Sequence, residues 1–515
     1  MEAADVEINE QFSKALGIIE QGRNVFVTGK AGTGKSTLLD YFRNTTKKKV
    51  AVLAPTGVAA VNINGQTIHS FFGFGPDITP DKVKIFKGEQ KELYNIVEAI
   101  VIDEVSMVRA DLLDCVDRFL RLNRTDKRPF GGIQMVFFGD LYQLPPVVVG
   151  KEKEIFRTHY KSQYFFDSNV FGAFEMELLE LEKIYRQKDQ NFIDILNAIR
   201  NNSVLPGQLK EINKRLLPDF RPVNGEFYIN LTTTNDMALH ANENELSKLK
   251  TKLFYYKGRI RGNFDQKYLP TDICLKVKAG SQIMLLNNDS KGRWVNGTIG
   301  KVANIVRKGK EDSIITELQN GRIVDIAPYT WKIYKMLYNK ETRSLDSETV
   351  GSFTQYPLKL AWAVTIHKGQ GKTFDKVIID IGKGTFVHGQ AYVALSRCTS
   401  LDGIVLKKPI EKKHIFTDWK IVSFITKYQY KQAEKALSLK EKISMIENAI
   451  KNKSKLNIVY LKSNDQKSKR IVLPKKVGEM AYLGKSYTGM EGFCYSRNDD
   501  RTFRVDRILE ISECG

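Results

Sequence analysis

The amino-acid sequence predicts an α/β fold followed by a small module rich in β-strands. Apolar runs typical of buried parallel strands alternate with helical patterns over the first 200 residues. A second sheet begins near Phe227 and resumes at Val377–Asp380 and Gly403–Leu406. At 515 residues the chain is too long for one hydrophobic core, and we therefore expect three or more folded units.

Four short apolar runs predict the main strands of a first domain over residues 1–200. They are Asn24–Thr28, Val50–Ala54, Ala99–Asp103 and Gln134–Gly139. Each run ends in a polar or glycine-bearing loop, which is where an open α/β sheet binds its ligand. Residues 71–92 do not follow this alternation of strands and helices, and they predict a small inserted subdomain.

The rest of the chain predicts a second α/β domain over residues 201–425. Short strands with glycine-containing turns predict a β-rich insertion within it, at about residues 274–350. The apolar spacing of Tyr428–Asn452 predicts an amphipathic helix, so that residues 426–452 link this domain to the next. Residues 453–515 predict the small β-rich module.

The composition favours a partner with many negative charges. The formal net charge is +21, from 80 basic and 59 acidic residues, and residues 401–480 carry 19 Lys or Arg against 8 Asp or Glu. Such an imbalance favours binding to phosphates, although a generally lysine-rich, soluble surface explains it equally well. The five cysteines have no CxxC spacing, no apolar run is long enough to cross a bilayer, and the N-terminus has no signal-peptide pattern. A cytoplasmic protein with reduced thiols is expected.

A phosphate-binding loop stands between the first predicted strand and a helix. Gly29–Ser36 reads GKAGTGKS, the pattern GxxxxGK[ST], in which backbone N–H groups and the helix N-terminus surround phosphate oxygens. Lys35 is expected to reach the terminal phosphates, and the Ser36 hydroxyl to bind Mg²⁺. The predicted nucleotide-binding residues of this segment are Gly29, Gly32, Thr33, Gly34, Lys35, Ser36 and Thr37.

The remaining candidates for nucleoside triphosphate hydrolysis follow later strands. Asp103 suits the Mg²⁺ shell, and Glu104 suits the orientation or deprotonation of an attacking water. Gln143 ends the next strand, where it is expected to sense the γ-phosphate. Arg186 and Arg397 are the candidates for neutralising charge on that phosphate.

A set of motifs follows in order over about residues 8 to 406, namely GKAGTGKS, APTGVAA, TIHSFF, IDEVSM, GDLYQLPPV, IYRQ, LTTTN, VNGTIG, AVTIHKGQGKT and YVALSR. This ordered set resembles that of a PIF-type (petite integration frequency) superfamily 1B DNA helicase. The segment 111–132, which ends within the stretch RPFGGIQ, favours the PIF type over the related RecD type. The block HKGQG departs slightly from the HKSQG of many relatives.

The resemblance implies two RecA-like domains with ATP and Mg²⁺ in the cleft between them, a short wedge and an SH3-like β-barrel insertion. It also implies 5′-to-3′ movement on single-stranded DNA and unwinding of duplex. Gln11 is placed on the adenine, and Gln370 and Gly371 beside the phosphates. The implied DNA-contacting residues are Pro55, Thr56, Gly57, Thr67, His69, Phe72, Asn296, Thr365, His367 and Lys368. For Phe72, burial in the core is the alternative.

The last module contains the short blocks IVYL, KRIVLP, AYLGKSY and FRVDRI. Through these blocks it resembles a WYL domain, a β-rich module of bacterial nucleic-acid-linked regulators. Its ligand-facing candidates are Arg470, Tyr482, Arg504 and Arg507, with a purely structural barrel as the alternative. The PIF-type resemblance implies forked DNA, RNA–DNA hybrids or G-quadruplexes as substrates. A monomer in solution is expected, and the WYL-like module with the lack of a targeting extension favours a bacterial cytoplasmic, nucleoid-associated location. The alternatives for function are a RecD-type recombination or repair helicase and a DNA-bound regulator that uses ATP as a switch.

Overall fold

The computed structural model of the chain describes residues 7–514, apart from 149, 151, 224, 265, 267, 268, 309, 310, 340, 343, 383, 386 and 483. The chain divides into two compact units. The large unit comprises Met1–Asn197 and Leu205–Ile415, and the C-terminal unit comprises Ala198–Val204 and Phe416–Gly515. Among the described residues, no helix has both the length and the apolarity needed to cross a membrane.

A six-stranded parallel sheet forms the centre of the first α/β domain. Its strands are β1 Val25–Gly29, β2 Val50–Ala54, β3 Gln66–Thr67, β4 Ala99–Ile102, β5 Gln134–Phe138 and β6 Glu177–Leu181. The order across the sheet is β3-β2-β4-β5-β1-β6. The four strands predicted from apolar runs are present, and their ends agree to within one residue.

Helices cover this sheet and bury its apolar side chains. Phe12 and Ile19 of the first helix and Leu38 and Phe42 of the second pack in one core with the strand residue Val136. The helices that accompany or follow this sheet are α1 Glu10–Glu20, α2 Lys35–Thr45, α3 Gly57–Asn62, α4 Ile68–Phe72, α5 Glu89–Ile96, α6 Ala110–Arg124, α7 Glu152–Thr158 and α8 Gln190–Arg200.

A second parallel sheet forms the other α/β domain of the large unit. Its strands are β7 Ile229–Thr232, then β18 Ala363–Thr365, β19 Val377–Asp380 and β20 Ile404–Leu406, in the order β18-β7-β19-β20. The helices of this region are α9 Pro206–Asn213, α10 Asn235–Lys248 and α11 Gln390–Leu395. As in the first domain, the loops that carry the sequence motifs follow the carboxyl ends of these strands.

Ten strands between β7 and β18 form the insertion. They are β8 Leu253–Lys257, β9 Arg259–Gly262, β10 Cys274–Lys278, β11 Gln282–Leu285, β12 Ile299–Lys308, β13 Glu311–Leu318, β14 Ile323–Ile326, β15 Tyr329–Asn339, β16 Ser344–Gln355 and β17 Leu358–Leu360. Five of them form an antiparallel sheet in the order β14-β13-β12-β11-β17. The strands thus extend beyond the predicted 274–350 at both ends, and the SH3-like assignment stays a prediction.

The C-terminal unit holds two helices and a five-stranded antiparallel sheet. The helices are α12 Trp419–Ala436 and α13 Leu439–Asn452. The strands are β21 Leu456–Leu461, β22 Lys467–Tyr482, β23 Lys485–Cys494, β24 Asp499–Arg504 and β25 Ile508–Glu513, in the order β24-β23-β22-β21-β25. Side chains from α13, including Ile446, close the core of this sheet.

The predicted single helix over 428–452, and with it the linking helix at 426–452, is wrong. The helix is interrupted between α12 and α13. There the Ser438 side chain accepts a hydrogen bond from the Glu441 backbone N–H, and the Glu441 side chain accepts one from the Ser438 backbone N–H. This capping box starts a new helix. Its signature, Ser followed by Glu three residues later, is visible in the sequence, but the continuous apolar spacing concealed it.

Candidate active site and nucleic-acid interface

The loop between β1 and α2 carries the predicted phosphate-binding residues. Gly32 and Gly34 have φ angles of 83° and 84°, in the left-handed region. A Cβ atom on Gly32 would lie 2.6 Å from the Arg186 Cβ, and one on Gly34 would lie 2.9 Å from the Phe12 ring. Both the backbone conformation and the lack of space therefore require glycine at these two positions.

Lys35 begins α2 and reaches back over the loop. Its ammonium group donates hydrogen bonds to the backbone carbonyls of Gly29 at 2.7 Å and Lys30 at 3.0 Å. Thr33 is buried, whereas Ser36 and Thr37 are exposed at the start of the helix. The predicted phosphate-binding residues thus surround one helix N-terminus, which favours an anion.

Asp103 and Glu104 follow the end of β4. Burial and the neighbouring Glu104 charge raise the pKa of Asp103 to about 7. Burial also raises the pKa of Glu104, although the Lys35 and Arg397 charges act in the opposite direction. The Gln370 side-chain amide donates a hydrogen bond to the Glu104 carboxylate at 3.1 Å. Residues from both α/β domains therefore converge on Glu104.

Asp140 is a buried acidic residue of this site that the sequence analysis missed. The Gln143 side-chain amide donates a 3.3 Å hydrogen bond to its carboxylate, which also accepts one from the Tyr142 backbone N–H at 3.1 Å. The negative charge of Asp140 acts to raise the pKa of both Glu104 and Arg397. Asp140 stands in the GDLYQLPPV block, three residues before Gln143, so its position after a buried strand was an available signal.

Arg397 brings a cation from the second α/β domain to the same place. Its side chain is only 1% exposed, and burial together with the nearby Arg186 lowers its pKa to about 9. Its guanidinium group donates hydrogen bonds to the Val393 carbonyl at 2.9 Å, the Ser396 hydroxyl at 3.0 Å and the Lys372 carbonyl at 3.3 Å. These bonds fix the direction of the side chain without neutralising it.

Arg186 and its neighbour Gln187 connect the first domain to the end of α11. Arg186 donates a hydrogen bond to the Ser396 carbonyl at 3.0 Å, and burial lowers the pKa of Arg186. The Gln187 side chain, which the sequence analysis missed, donates to the carbonyls of Ser396 at 3.2 Å and Cys398 at 2.9 Å. The two residues thus hold the backbone on both sides of Arg397.

Tyr392 makes a further contact across the cleft, and it too was missed. Its hydroxyl accepts a 2.9 Å hydrogen bond from the buried Ala31 backbone N–H of the phosphate-binding loop. Tyr392 lies on α11 within the YVALSR block, five residues before Arg397. The helix that touches the phosphate-binding loop of the first domain therefore ends just before Arg397 of the second.

Gln11, the predicted adenine-contacting residue, lies on α1 at the edge of the loop. Its side-chain oxygen accepts a hydrogen bond from the Glu182 backbone N–H at 2.8 Å. Close to it, the Asn9 amide donates to the Tyr185 hydroxyl at 2.9 Å, and the exposed Tyr185 ring lies beside Gly34. An exposed aromatic ring next to a phosphate-binding loop suits a nucleobase.

The predicted DNA-contacting residues of the first domain stand where β2 and β3 end. Pro55 and Thr56 precede Gly57, the first residue of α3, and the Thr56 side chain accepts a hydrogen bond from the Ala59 backbone N–H at 3.3 Å. Thr67 caps α4 in the same way. Both threonines therefore support helix N-termini, where backbone N–H groups favour phosphate.

The predicted contacts of the second domain follow β18. Thr365 is buried, and its hydroxyl accepts a hydrogen bond from the Lys368 backbone N–H at 3.3 Å. Burial lowers the pKa of His367, as it does that of His69 in the first domain. Both rings are therefore neutral at pH 7, and Lys368 is the cation of this group. Gly371 adopts a left-handed φ of 77° in the turn that positions Gln370.

Asn296 joins the two α/β domains through a chain of polar side chains. It donates a hydrogen bond to the Asn62 side-chain oxygen at 2.8 Å and accepts one from the Lys372 ammonium group at 2.7 Å. Burial lowers the pKa of Lys372 to about 8, and burial with Lys372 and Lys368 nearby lowers that of Lys359 to about 7. The sequence analysis missed Asn62, Lys359 and Lys372.

The expected DNA contact of Phe72, which as an aromatic ring would stack on a base, is wrong. Phe72 is 1% exposed, and its ring packs against Phe71, Phe74, Tyr94 and Phe119 at centroid distances of 4.9 to 6.1 Å. Part of the predicted wedge, 71–92, thus contributes to an aromatic core. The alternative that the sequence left open, burial, describes this side chain.

Phe72→Ala is therefore expected to lower stability by about 3–5 kcal/mol, the usual cost of emptying a buried aromatic site. The measurement is the thermal unfolding midpoint, together with the affinity of the folded fraction for single-stranded DNA. His69→Ala on the same helix is the matched variant, and it should weaken DNA binding with a small change in midpoint. Unchanged stability with weakened DNA binding in Phe72→Ala would restore the stacking role.

Asp103→Asn is expected to stabilise the nucleotide-free protein at pH 8. Because the pKa of Asp103 is raised from 3.8 to about 7, the folded state holds its proton more tightly than the unfolded state. The cost of ionising the buried carboxyl is therefore absent below about pH 4 and grows as the pH rises towards 7. The expected gain is on the order of a few kcal/mol at pH 8 and disappears near pH 4.

The test is the unfolding midpoint at both pH values, without nucleotide or Mg²⁺. The exposed Asp81→Asn is the control and should have little effect at either pH. A lower midpoint for Asp103→Asn at pH 8 would show that the carboxylate stabilises the fold instead.

Comparison with known proteins agrees with this geometry. A family model described as "PIF1-like helicase" matches residues 7–208, and a "WYL domain" model matches residues 441–513. The WYL match begins within α13, earlier than the predicted 453.

The chain is 31% identical over 457 residues to "ATP-dependent DNA helicase Pif1" of Bdellovibrio bacteriovorus, which covers 84% of this chain and 94% of that protein. It is also 31% identical over 469 residues to "ATP-dependent DNA helicase PIF1" of Emericella nidulans, covering 79% of this chain. The chain spans only 61% of the length of that fungal relative.

Solved structures give the same result. The crystal structure of Bacteroides sp. Pif1 in complex with ADP-AlF4 is similar with a TM-score of 0.76 and 38% identity, covering 83% of this chain and 98% of that one. Bacteroides Pif1 bound to single-stranded DNA is similar with a TM-score of 0.62 and 37% identity, with the same coverage. The predictions of two RecA-like domains, of a PIF-type enzyme and of a C-terminal WYL domain are confirmed. The chain therefore belongs to the PIF1-like family of ATP-dependent DNA helicases.

Proposed function

We propose that this chain binds ATP and Mg²⁺ between its two α/β domains and uses hydrolysis to move 5′ to 3′ along single-stranded DNA. The predicted bounds of the two domains, 1–200 and 201–425, stay a proposal, except that residues 198–204 and 416–425 belong to the C-terminal unit. The observation that carries the proposal is the surroundings of Glu104. Burial raises the pKa of this carboxyl, the charges of Lys35 from the first domain and Arg397 from the second both oppose that rise, and Gln370 donates a hydrogen bond to it.

Each of these residues has a role in this proposal. Lys35 and the backbone of the phosphate-binding loop hold the phosphates, and Glu104 orients or deprotonates the attacking water. Arg397, with Arg186 beside it, neutralises the charge that develops on the γ-phosphate. Gln143, held by Asp140, senses whether that phosphate is present. Gln11 and Tyr185 hold the base.

Ser36 and Asp103 are the residues that would hold Mg²⁺. The fit rests on Asp103, because a buried carboxyl with a raised pKa gains from a divalent cation placed against it. Among the described residues, no group of three or more His, Cys, Asp or Glu side chains forms a metal site. This agrees with a cation held mainly by phosphates and water, as is usual for Mg²⁺. When bound, the cation neutralises phosphate charge.

The coupling to movement follows from the position of α11. Tyr392 contacts the phosphate-binding loop, and the Arg397 charge acts on Glu104 of the first domain. In this proposal both interactions need the domains to be close, so a triphosphate favours the closed state by the difference in its affinity for the two states. Gln370 links Glu104 to the turn that carries His367 and Lys368. Asn296, bonded to Asn62 and Lys372, would have to change partners as the domains move.

Two assays on the purified full chain test this function. ATPase activity should rise strongly on addition of single-stranded DNA. A duplex with a 5′ single-stranded tail should be unwound, whereas one with a 3′ tail should not. Lys35→Ala is the control for a contaminating enzyme in both assays.

The outcomes separate the alternatives. Unwinding from the 3′ tail alone would overturn the proposed direction. An ATPase rate that does not respond to DNA, with no unwinding of either substrate, would instead favour the regulator that uses ATP as a switch. A RecD-type recombination helicase would move along DNA in the same direction. These two assays therefore give the same result for that alternative.

Finer points of substrate and assembly are proposals from the family resemblance. Forked DNA, RNA–DNA hybrids and G-quadruplexes are the proposed substrates, all approached through a single-stranded tail. We also propose that the chain is a monomer in solution and acts at the bacterial nucleoid. Light scattering tests the monomeric state. Unwinding rates on matched substrates rank forked DNA, RNA–DNA hybrids and G-quadruplexes.

A further inference from the structure

The segment that leads into α11 approaches residues 139–143 of the first α/β domain, here named the Gln143 loop. Gly389 stands directly before α11 and has a φ of 74°, in the left-handed region. A Cβ atom on Gly389 would lie 2.4 Å from the Gln143 carbonyl oxygen and 2.5 Å from that of Tyr142. Non-bonded heavy atoms need about 3.5 Å between them. Backbone segments of the two domains therefore meet here without room for a side chain.

The Gln143 loop is a buried turn that cannot easily move away from Gly389. The Gln143 backbone N–H donates a hydrogen bond to the Asp140 carbonyl at 2.9 Å. The Asp140 carboxylate in turn accepts one from the Tyr142 backbone N–H at 3.1 Å and one from the Gln143 side-chain amide at 3.3 Å. Because these bonds hold the turn together, a methyl group on Gly389 would separate α11 from the loop by about 1 Å.

A hydrogen bond between the two domains lies beside this backbone contact. The hydroxyl of Tyr164, in the segment between α7 and β6, shares a hydrogen bond with the His388 Nδ1 atom at 3.2 Å. Both side chains are buried. Since a contact of this kind is lost beyond about 3.5 Å, the same 1 Å separation would also break it. The neighbouring residues His388 and Gly389 thus fix one position of α11 against the first domain.

The position of α11 decides how far Arg397 reaches into the cleft. The helix has only six residues, and Arg397 follows its end with its guanidinium group bonded to the Val393 carbonyl of the helix. A shift at the start of so short a helix is therefore passed on to this side chain. Misplacement of a catalytic group by about 1 Å can lower a reaction rate about 10²-fold.

We infer that Gly389, with the Tyr164–His388 hydrogen bond beside it, is the point where α11 docks on the Gln143 loop and so brings Arg397 within reach of the γ-phosphate. Gly389 is a positioning residue, since it acts through Arg397. The inference rests on the proposed function, in which ATP is hydrolysed in this cleft. It adds that the loop proposed to sense the γ-phosphate touches the second domain directly, through its backbone.

Gly389→Ala and Gly321→Ala in the full chain provide the matched comparison. Gly321, in the turn between β13 and β14, has a φ of 78°, and a Cβ atom there would meet nothing within 4 Å. Both variants therefore strain the backbone alike, but only Gly389→Ala adds a clash. With single-stranded DNA present, Gly389→Ala should slow single-turnover hydrolysis about 10²-fold and leave ATP affinity unchanged, whereas Gly321→Ala should match the wild type in both. Equal rates in the two variants would overturn the inference.

A double variant shows whether Gly389 acts through Arg397. If the added methyl group only holds Arg397 out of reach, Gly389→Ala has nothing further to remove once that arginine is gone. The double variant Gly389→Ala with Arg397→Ala should then hydrolyse ATP as fast as Arg397→Ala alone. Losses that multiply in the double variant would show that Gly389 acts independently of Arg397, and this would overturn the inference.

Tyr164→Phe decides the question if Gly389→Ala does not fold, because it adds no volume. It should lower the single-turnover rate about fivefold, the effect of losing one hydrogen bond of ordinary strength, and leave ATP affinity unchanged. In that case an unchanged rate would overturn the inference. Failure of the proposed function is visible in the wild type itself, as hydrolysis that single-stranded DNA does not stimulate. Failure of the inference alone leaves the wild type stimulated and is visible only in the variants.

Discussion

Arg397→Ala is expected to lower the rate of ATP hydrolysis about 10³-fold or more, the range known for arginines that act on a transferring phosphoryl group. ATP affinity should change little. The side chain is held in place by backbone and hydroxyl acceptors at the end of α11 and lies within electrostatic reach of Glu104. It is therefore placed to act on the charge that develops in the transition state. Stopped-flow nucleotide binding and single-turnover hydrolysis measure the two quantities separately.

Two further variants sharpen this test. Arg397→Lys keeps a positive charge but loses the planar group that makes three hydrogen bonds, so it should recover little activity. Arg322→Ala removes an exposed arginine elsewhere in the large unit and should hydrolyse ATP at the normal rate. Equal losses of binding and turnover in Arg397→Ala would show that the residue acts in the ground state.

Lys35→Ala is expected to reduce turnover by about 10²–10³-fold, the cost of removing one preorganised donor from a charged transition state. Binding of ATP should be retained, because the backbone N–H groups and the α2 N-terminus remain. Its ammonium group is already held above the loop by the carbonyls of Gly29 and Lys30. The measurement is the DNA-stimulated hydrolysis rate alongside nucleotide affinity.

The exposed Lys47→Ala, just beyond α2, is the control for this variant and should behave like the wild type. Loss of ATP binding in Lys35→Ala to the same extent as turnover would contradict a role confined to the transition state. DNA-stimulated turnover near the wild-type rate would remove Lys35 from the proposed site altogether.

Local sequence patterns predicted the parallel strands and the phosphate-binding loop accurately. Short apolar runs ending in polar loops have few other interpretations, and the glycines of GKAGTGKS are required by the backbone angles at Gly32 and Gly34. The motif residues of the second domain were identified by resemblance, since nothing local in YVALSR indicates that Arg397 is buried opposite a loop more than 350 residues away.

Roles that depend on a residue's partners in space could not be predicted from the sequence. The Tyr392 contact with Ala31 and the Asn62–Asn296–Lys372 chain join segments far apart in sequence, and no periodicity encodes them. Phe72 was misassigned because an aromatic residue beside a DNA-contacting block has the same local pattern whether it is buried or exposed. The break at Ser438 was missed because the apolar spacing continues across it and has the pattern of one helix, although the capping box is present in the sequence.

The central claim is that the triphosphate draws the two α/β domains together through Lys35 on one and Arg397 on the other. The most direct measurement is the distance between spin labels at the exposed positions Lys47 and Glu243, one on each domain, with and without a non-hydrolysable ATP analogue and Mg²⁺. We expect the analogue to shorten and narrow this distance distribution in the wild type but not in Arg397→Ala. Identical distributions with and without the analogue in the wild type would contradict it.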